Sequence, residues 1–317
     1  MNFIFKALGT ALLFSLFLTG GATALAQSKP AGSQVLAGHS TLTIPCGRLG
    51  RRVPATWYYP TPQAGAPIGL LWVQHGFLRD KRNVADLARN LAETTKSVVV
   101  TPTLSSNALA LEGCWLNGKP LQAAAAKLFE EGKALAKSAR MAGFKETLPE
   151  YFVLSGHSAG GNFALSAAGF TTAPGGALPR LKAVVMFDGV DYQGQMTSAL
   201  NLLKGDAYRP IWQVAAPPSS CNAMGAGTRA LLDARPGEFV GVELMNGSHL
   251  DAEGANAGIA AALICGRRRP ENVAVLRQIA GDWIVNAFTG TQKGIVKGVP
   301  GQEIPVGKAL AIVLPAP

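Results

Sequence analysis

Residues 151–161 read Tyr151-Phe152-Val153-Leu154-Ser155-Gly156-His157-Ser158-Ala159-Gly160-Gly161. Glu150–Leu154 is a short apolar run that suits a buried strand, and Asn162–Ala168 beyond it has the composition of a helix. Between them lies G-x-S-x-G in the setting that gives it meaning: strand, sharp turn, helix. A serine at the tip of such a turn holds its Oγ clear of the backbone. Glycines on either side have no Cβ, so strand and helix can approach closely. The helix start directs free N–H groups and a positive dipole end at the same point. With 15 serines and 37 glycines in 317 residues, random order would give about 0.2 such matches. The flanking strand and helix are what make Ser158 a candidate nucleophile rather than a structural turn.

Working outward, buried strands and helices alternate. Strands are expected at Ser40–Pro45, Ala55–Pro60, Ile68–Gln74, Ser97–Thr101, Leu181–Phe187, Pro210–Ala215 and Glu238–Met245. Helices are expected at Asn83–Thr95, Pro120–Ala142 and Glu271–Phe288. That alternation means a mostly parallel sheet covered on both faces, within one domain over 27–317. The segment Tyr192–Arg209 reads as a small lid or a crossover helix. The Gly/Pro-rich tail from about 290 reads as extended, with no assigned place.

Val73-Gln74-His75-Gly76-Phe77-Leu78 follows a buried strand, where a loop of this kind supplies one oxyanion N–H. Phe77 and Ala159 are the expected donors, with Leu78 competing for the first place. Of four histidines, His39 precedes the sheet proper, and His75 and His157 belong to the two loops already described. His249 remains, in a loop after a late strand, and is the candidate general base. The acid must lie between Ser158 and His249 at a strand end. Asp188, directly after Ala183–Phe187, fits best, then Asp206, then Asp191.

Together these residues resemble the α/β-hydrolase superfamily, and within it chlorophyllase-like and secreted polyester- or lipid-cleaving hydrolases. Gln74–Leu78 through Ser97–Pro102 is similar to a chlorophyllase's HGF loop, helix and VVAP strand. Gly156–Gly161 resembles its GHSRGG, with Ala159 in place of the arginine. Phe187-Asp188-Gly189-Val190-Asp191 resembles its DPV segment, with Gly189 in place of the proline, and Ser248–Asp251 resembles its GHMD. The likeness spans roughly residues 65–290. It implies an α/β-hydrolase fold and Asp188 as the triad acid.

Residues 1–26 carry one charge, Lys6, an apolar run from Ala7 to Leu18 and a small-x-small site at Ala24-Leu25-Ala26. The run is too short to span a hydrocarbon core of about 30 Å. It reads as a secretory leader, with the mature chain starting at Gln27 outside the cytoplasm, secreted or periplasmic. No later run reaches membrane length, so no stable membrane insertion is expected. Cys46, Cys114, Cys221 and Cys265 all follow the cleavage site, which suits an oxidising compartment. Cys46–Cys114 and Cys221–Cys265 are the favoured pairs, with free buried thiols as the alternative.

The formal charge of +10 comes from 29 basic and 19 acidic residues. Arg51-Arg52 and Arg267-Arg268-Arg269 are short and lack interleaved aromatics, unlike a nucleic-acid face. The chain has no HExxH, P-loop or dinucleotide pattern, and no cofactor is expected. The expectation is a serine hydrolase that cleaves small-molecule, lipid or polymer carboxylic esters through an acyl-enzyme. Acyl transfer, peptide cleavage or a non-catalytic scaffold are the alternatives. Met186, Met196, Leu200, Leu202, Leu203 and Trp115 are candidates for an apolar acyl site, or for plain core packing.

Overall fold

The computed structural model describes residues 34–292 and 294–315; the expected leader and the Gln27 start lie outside the described residues. Ten strands build one sheet: β1 (Val35–Ile44), β2 (Arg51–Pro60), β3 (Leu70–Gln74), β4 (Val98–Pro102), β5 (Phe152–His157), β6 (Leu181–Phe187), β7 (Ile211–Ala215), β8 (Gly241–Leu244), β9 (Glu303–Val306) and β10 (Ala309–Val313). Their order is β1-β2-β4-β3-β5-β6-β7-β8-β10-β9. The strands from β4 to β8 in that order run parallel, and the outer pairs close each edge antiparallel.

Eight helices are described: α1 (Ala85–Thr95), α2 (Lys119–Glu131), α3 (Lys133–Met141), α4 (Ala159–Phe170), α5 (Gln195–Leu202), α6 (Ala226–Ala234), α7 (Ile259–Cys265) and α8 (Pro270–Thr289). The period of two along each central strand sends alternate side chains to opposite faces. Leu70, Trp72, Phe152, Leu154, Val184 and Met186 pack with α2 to α6. Leu71, Val73, Val153, Val185 and Phe187 pack with α1 and α8, around Leu91, Leu276 and Trp283. Each such fully buried side chain contributes about 1.5–3 kcal/mol. Trp72 stacks on Phe163 at 5.9 Å, and its indole N–H donates to Gln74 Oε1 at 3.2 Å. β3, the strand before the His75–Leu78 loop, is thereby fixed by packing and by a satisfied polar tip.

Several expectations need correction. The helix expected over Pro120–Ala142 breaks into α2 and α3 at Gly132, which takes φ 67°. That left-handed turn is cheap for glycine and ends a helix. β1 and β2 both start earlier than expected, at Val35 and Arg51, because their ladder runs unbroken from Val35↔Pro60 to Ile44↔Arg51. Tyr192–Arg209 is no lid. It holds α5, which buries Met196, Ala199 and Leu200 and connects β6 to β7 as a crossover.

Met186, Met196, Leu200 and Leu203 are core residues, as packing alone would have them, and Leu202 is exposed. Trp115 is mostly buried, edge-on to Tyr192 at 5.5 Å. The tail that had no place folds back as the hairpin β9–β10, and β10 pairs with β8. α6 and α7 were not foreseen. Disulfides join Cys46 to Cys114 and Cys221 to Cys265, with Cα separations of 5.9 and 5.5 Å. Among the described residues no helix is long and apolar enough to cross a membrane.

Candidate active site

Parallel strands bring their C-terminal ends to one edge of the sheet, and the loops after β3, β5, β6, β7 and β8 meet there. Ser158 links β5 to α4 with φ 57° and ψ −125°. That strained corner is held by Ser158 N donating to Phe187 O at 3.0 Å and by Val190 N donating to Ser158 O at 3.2 Å. The glycines are sterically required. A Cβ on Gly156 would sit 2.1 Å from the Gly160 carbonyl oxygen, and one on Gly160 would sit 2.4 Å from the Gln74 carbonyl oxygen.

Asp188 follows β6 directly, at φ 46° and 5% exposed. Its backbone N–H donates to Val214 O, and the next amide, Gly189, donates to Gln213 Oε1. Both carboxylate oxygens meet donors. Oδ1 accepts from Ala216 N at 3.1 Å, and Asn222 Nδ2 donates to both oxygens, at 3.2 Å to Oδ1 and 3.1 Å to Oδ2. Oδ2 lies 2.6 Å from His249 Nδ1. On its other side His249 Nε2 lies 2.9 Å from Ser158 Oγ. The structure thus brings Ser158, His249 and Asp188 into one hydrogen-bonded line from three loops. Burial lowers the His249 pKa below its ordinary value, against the opposing pull of Asp188. A neutral imidazole able to accept a proton is the result.

The remaining candidates fall elsewhere. Asp191 Oδ1 accepts the Met196 amide at 2.9 Å at the start of α5. Asp206 is exposed in the turn before β7, at the opposite edge of the sheet. His39 sits on β1, against Thr56 Oγ1. His75 is fully buried. Its Nδ1 donates to Gly76 O, and its Nε2 accepts from Leu104 N. Desolvation lowers its pKa to about 4, so it is a fixed neutral strut between two loops.

Leu78 N donates to Ser106 Oγ at 2.8 Å, which removes it as an oxyanion donor. Among the described residues no acceptor faces the Phe77 N–H, and Ala159 is the first residue of α4, where an N–H has no partner within the helix. Gly76 lets this loop approach the serine, since a Cβ there would lie 3.1 Å from Ser158 Cβ.

Sequence reasoning passed over three contributors. Asn222 braces Asp188, and its position follows from the turn that Cys221 anchors. Arg79 and Glu253 join the loops themselves. Glu253, 1% exposed, accepts from Arg79 Nε at 2.8 Å and lies 3.4 Å from His157 Nδ1. His157 Nε2 in turn donates to the His249 carbonyl oxygen at 2.7 Å. One buried carboxylate therefore ties the Phe77 loop, the serine turn and the histidine loop together. No short motif marks Arg79 and Glu253, which are 174 residues apart.

No protein-family model matches the chain, and no curated protein matches its sequence. Solved structures do match. A mutant of the esterase rPPE aligns with TM-score 0.54 and 16% identity, covering 81% of this chain and 84% of the other. A thermostable esterase from Pseudomonas putida ECU1011 gives 0.53 and 15% over the same shares. Carboxyl esterase 2 of the mycorrhizal fungus Tuber melanosporum gives 0.51 and 15%, covering 83% and 89%. At such identities the likeness carries the fold, and the fold of this chain is that of an α/β hydrolase.

Proposed function

We propose that the protein is a serine hydrolase that cleaves carboxylic esters through an acyl-enzyme. The observation that carries this reading is the unbroken line Ser158 Oγ, His249 and Asp188, with contacts of 2.9 and 2.6 Å. Ser158 Oγ attacks the ester carbonyl while His249 Nε2 takes its proton. The oxyanion forms beside the Phe77 and Ala159 amides, each worth about 10²–10³ in rate if it donates. Collapse expels the alcohol, which leaves with the proton from His249. Water then attacks the acyl-enzyme by the same route, releasing the acid and restoring Ser158. Asp188 holds Nδ1–H in place and stabilises the imidazolium.

The esterases among the structural neighbours favour this reading over a non-catalytic scaffold. The two disulfides favour a secreted or periplasmic setting. A fluorophosphonate probe should label the wild-type protein at Ser158 and leave Ser158→Ala unlabelled, and the wild type should hydrolyse p-nitrophenyl esters. A correctly folded wild type that takes no label sinks the proposal. Labelling together with transfer to an added alcohol in preference to water would make it an acyltransferase instead.

A further inference from the structure

The loop that carries His249 returns to α8 through α7, whose sequence is Ile259-Ala260-Ala261-Ala262-Leu263-Ile264-Cys265. α7 buries none of its residues. Ile259, Leu263 and Ile264 are 85, 80 and 75% exposed. Water-soluble surfaces tolerate scattered aliphatic residues, but three on two turns of one helix form a patch that needs a partner. Arg267, Arg268 and Arg269 follow at once and are exposed; among the described residues none of them has an ion-pair partner. Ile259, Ala262 and Leu263 line one open groove with Arg267 and Arg268, so the apolar and cationic groups share a face.

That face belongs to the edge of the sheet that holds the triad. Ser248, next to His249, donates its hydroxyl to the Cys265 and Gly266 carbonyl oxygens at 3.2 Å each. Cys221 pins the end of α7 to the turn whose Asn222 braces Asp188. Further exposed apolar side chains stand on loops at the same edge: Phe77 and Leu78 after β3, and Met224 after β7.

We infer that α7 and the adjoining arginines dock the active-site edge onto an anionic phospholipid surface. The aliphatic side chains would enter the acyl boundary, and the guanidinium groups would meet the phosphates. Two features select a lipid surface over a protein. α7 has 7 residues and is about 10 Å long, too small an element to bury the roughly 800 Å² per partner that a stable protein interface needs. Its apolar residues are aliphatic, without the Trp or Tyr anchors that dominate protein hot spots. An apolar turn flanked by arginines is instead the composition of an interfacial anchor, and a single short one gives reversible binding. The inference concerns binding and does not depend on the ester chemistry, so the two can fail separately.

The test is co-sedimentation of the full-length Ser158→Ala protein with phosphatidylcholine vesicles, with and without phosphatidylglycerol. Binding is expected to the anionic vesicles and to weaken as salt is raised. Leu263→Asp with Ile264→Asp should reduce it at least about tenfold, and Arg267→Glu with Arg268→Glu at least about 25-fold, at about fivefold per lost charge near the surface. In the active background the same variants should keep wild-type rates on p-nitrophenyl acetate. Absence of binding to either vesicle overturns the inference, as does binding that survives both double variants. A concentration-dependent dimer abolished by Leu263→Asp with Ile264→Asp would show that a second copy covers the patch instead. Adsorption to a neutral polyester film without vesicle binding would assign the face to polymer.

Discussion

Asp188→Asn is expected to lower kcat on a soluble p-nitrophenyl ester by about 10⁴-fold, while the protein still folds. The environment decides which way the new amide points. Ala216 N donates to Oδ1 of Asp188 alone, whereas Asn222 Nδ2 bridges Oδ1 and Oδ2, so the backbone N–H draws the carbonyl oxygen of an asparagine to the Oδ1 position. Its NH₂ then faces His249 Nδ1, which must become an acceptor. The imidazole proton moves to Nε2, 2.9 Å from Ser158 Oγ, and His249 can no longer take the serine proton. Asp191→Asn and Asp206→Asn should stay close to wild type, because neither carboxylate reaches His249. If Asp188→Asn costs less than tenfold in steady-state kinetics, the acid lies elsewhere.

The wild-type pH profile follows from the same geometry. Only neutral His249 acts as a base, so kcat/KM should rise with pH and level off. Burial places the half-rise below the ordinary value of 6.5. A half-rise clearly above 6.5 would show that the buried Asp188 contact outweighs desolvation.

What the sequence disclosed of this site was local. The serine turn is fixed by glycine spacing within five residues, and strand ends located Asp188 and His249 because parallel strands must deliver their loops to one edge. Braces that span the chain left no such trace. Glu253 sits in Ala252-Glu253-Gly254, which resembles a solvated turn, yet it is buried against Arg79. α7 was missed for the opposite reason: its apolar composition predicts burial, and the fold leaves it outside. The terminal hairpin did carry a weak signal, since Gly307-Lys308 is a two-residue turn between the short stretches Glu303–Val306 and Ala309–Val313, each ending on a valine. Its partner β8 lies more than 60 residues earlier, beyond any local pattern.

Glu253→Gln should destabilise the protein by about 1.5–3 kcal/mol at neutral pH, the scale of a hydrogen bond to a charged group, because Arg79 is 26% exposed and can be hydrated once its partner is gone. The substitution keeps shape and volume but withdraws the charge that faces Arg79 Nε at 2.8 Å and His157 Nδ1 at 3.4 Å. Burial alone would raise the Glu253 pKa; His157 and Arg79 together hold it below the ordinary 4.5. A carboxyl with a depressed folded-state pKa stabilises the native protein above its unfolded value. That contribution fades as pH falls below about 4.5 and through the folded pKa. The stability difference between wild type and Glu253→Gln should therefore be largest at neutral pH and shrink in acid. Urea unfolding at a series of pH values measures it, and a difference constant with pH would mean that Glu253 acts by packing rather than charge. Activity should report the same brace. Glu253 joins the loops of Phe77, Ser158 and His249, so loosening it should lower kcat more than it raises KM. A variant that loses stability yet keeps wild-type kcat would show that the brace serves folding and leaves the reacting groups aligned without it.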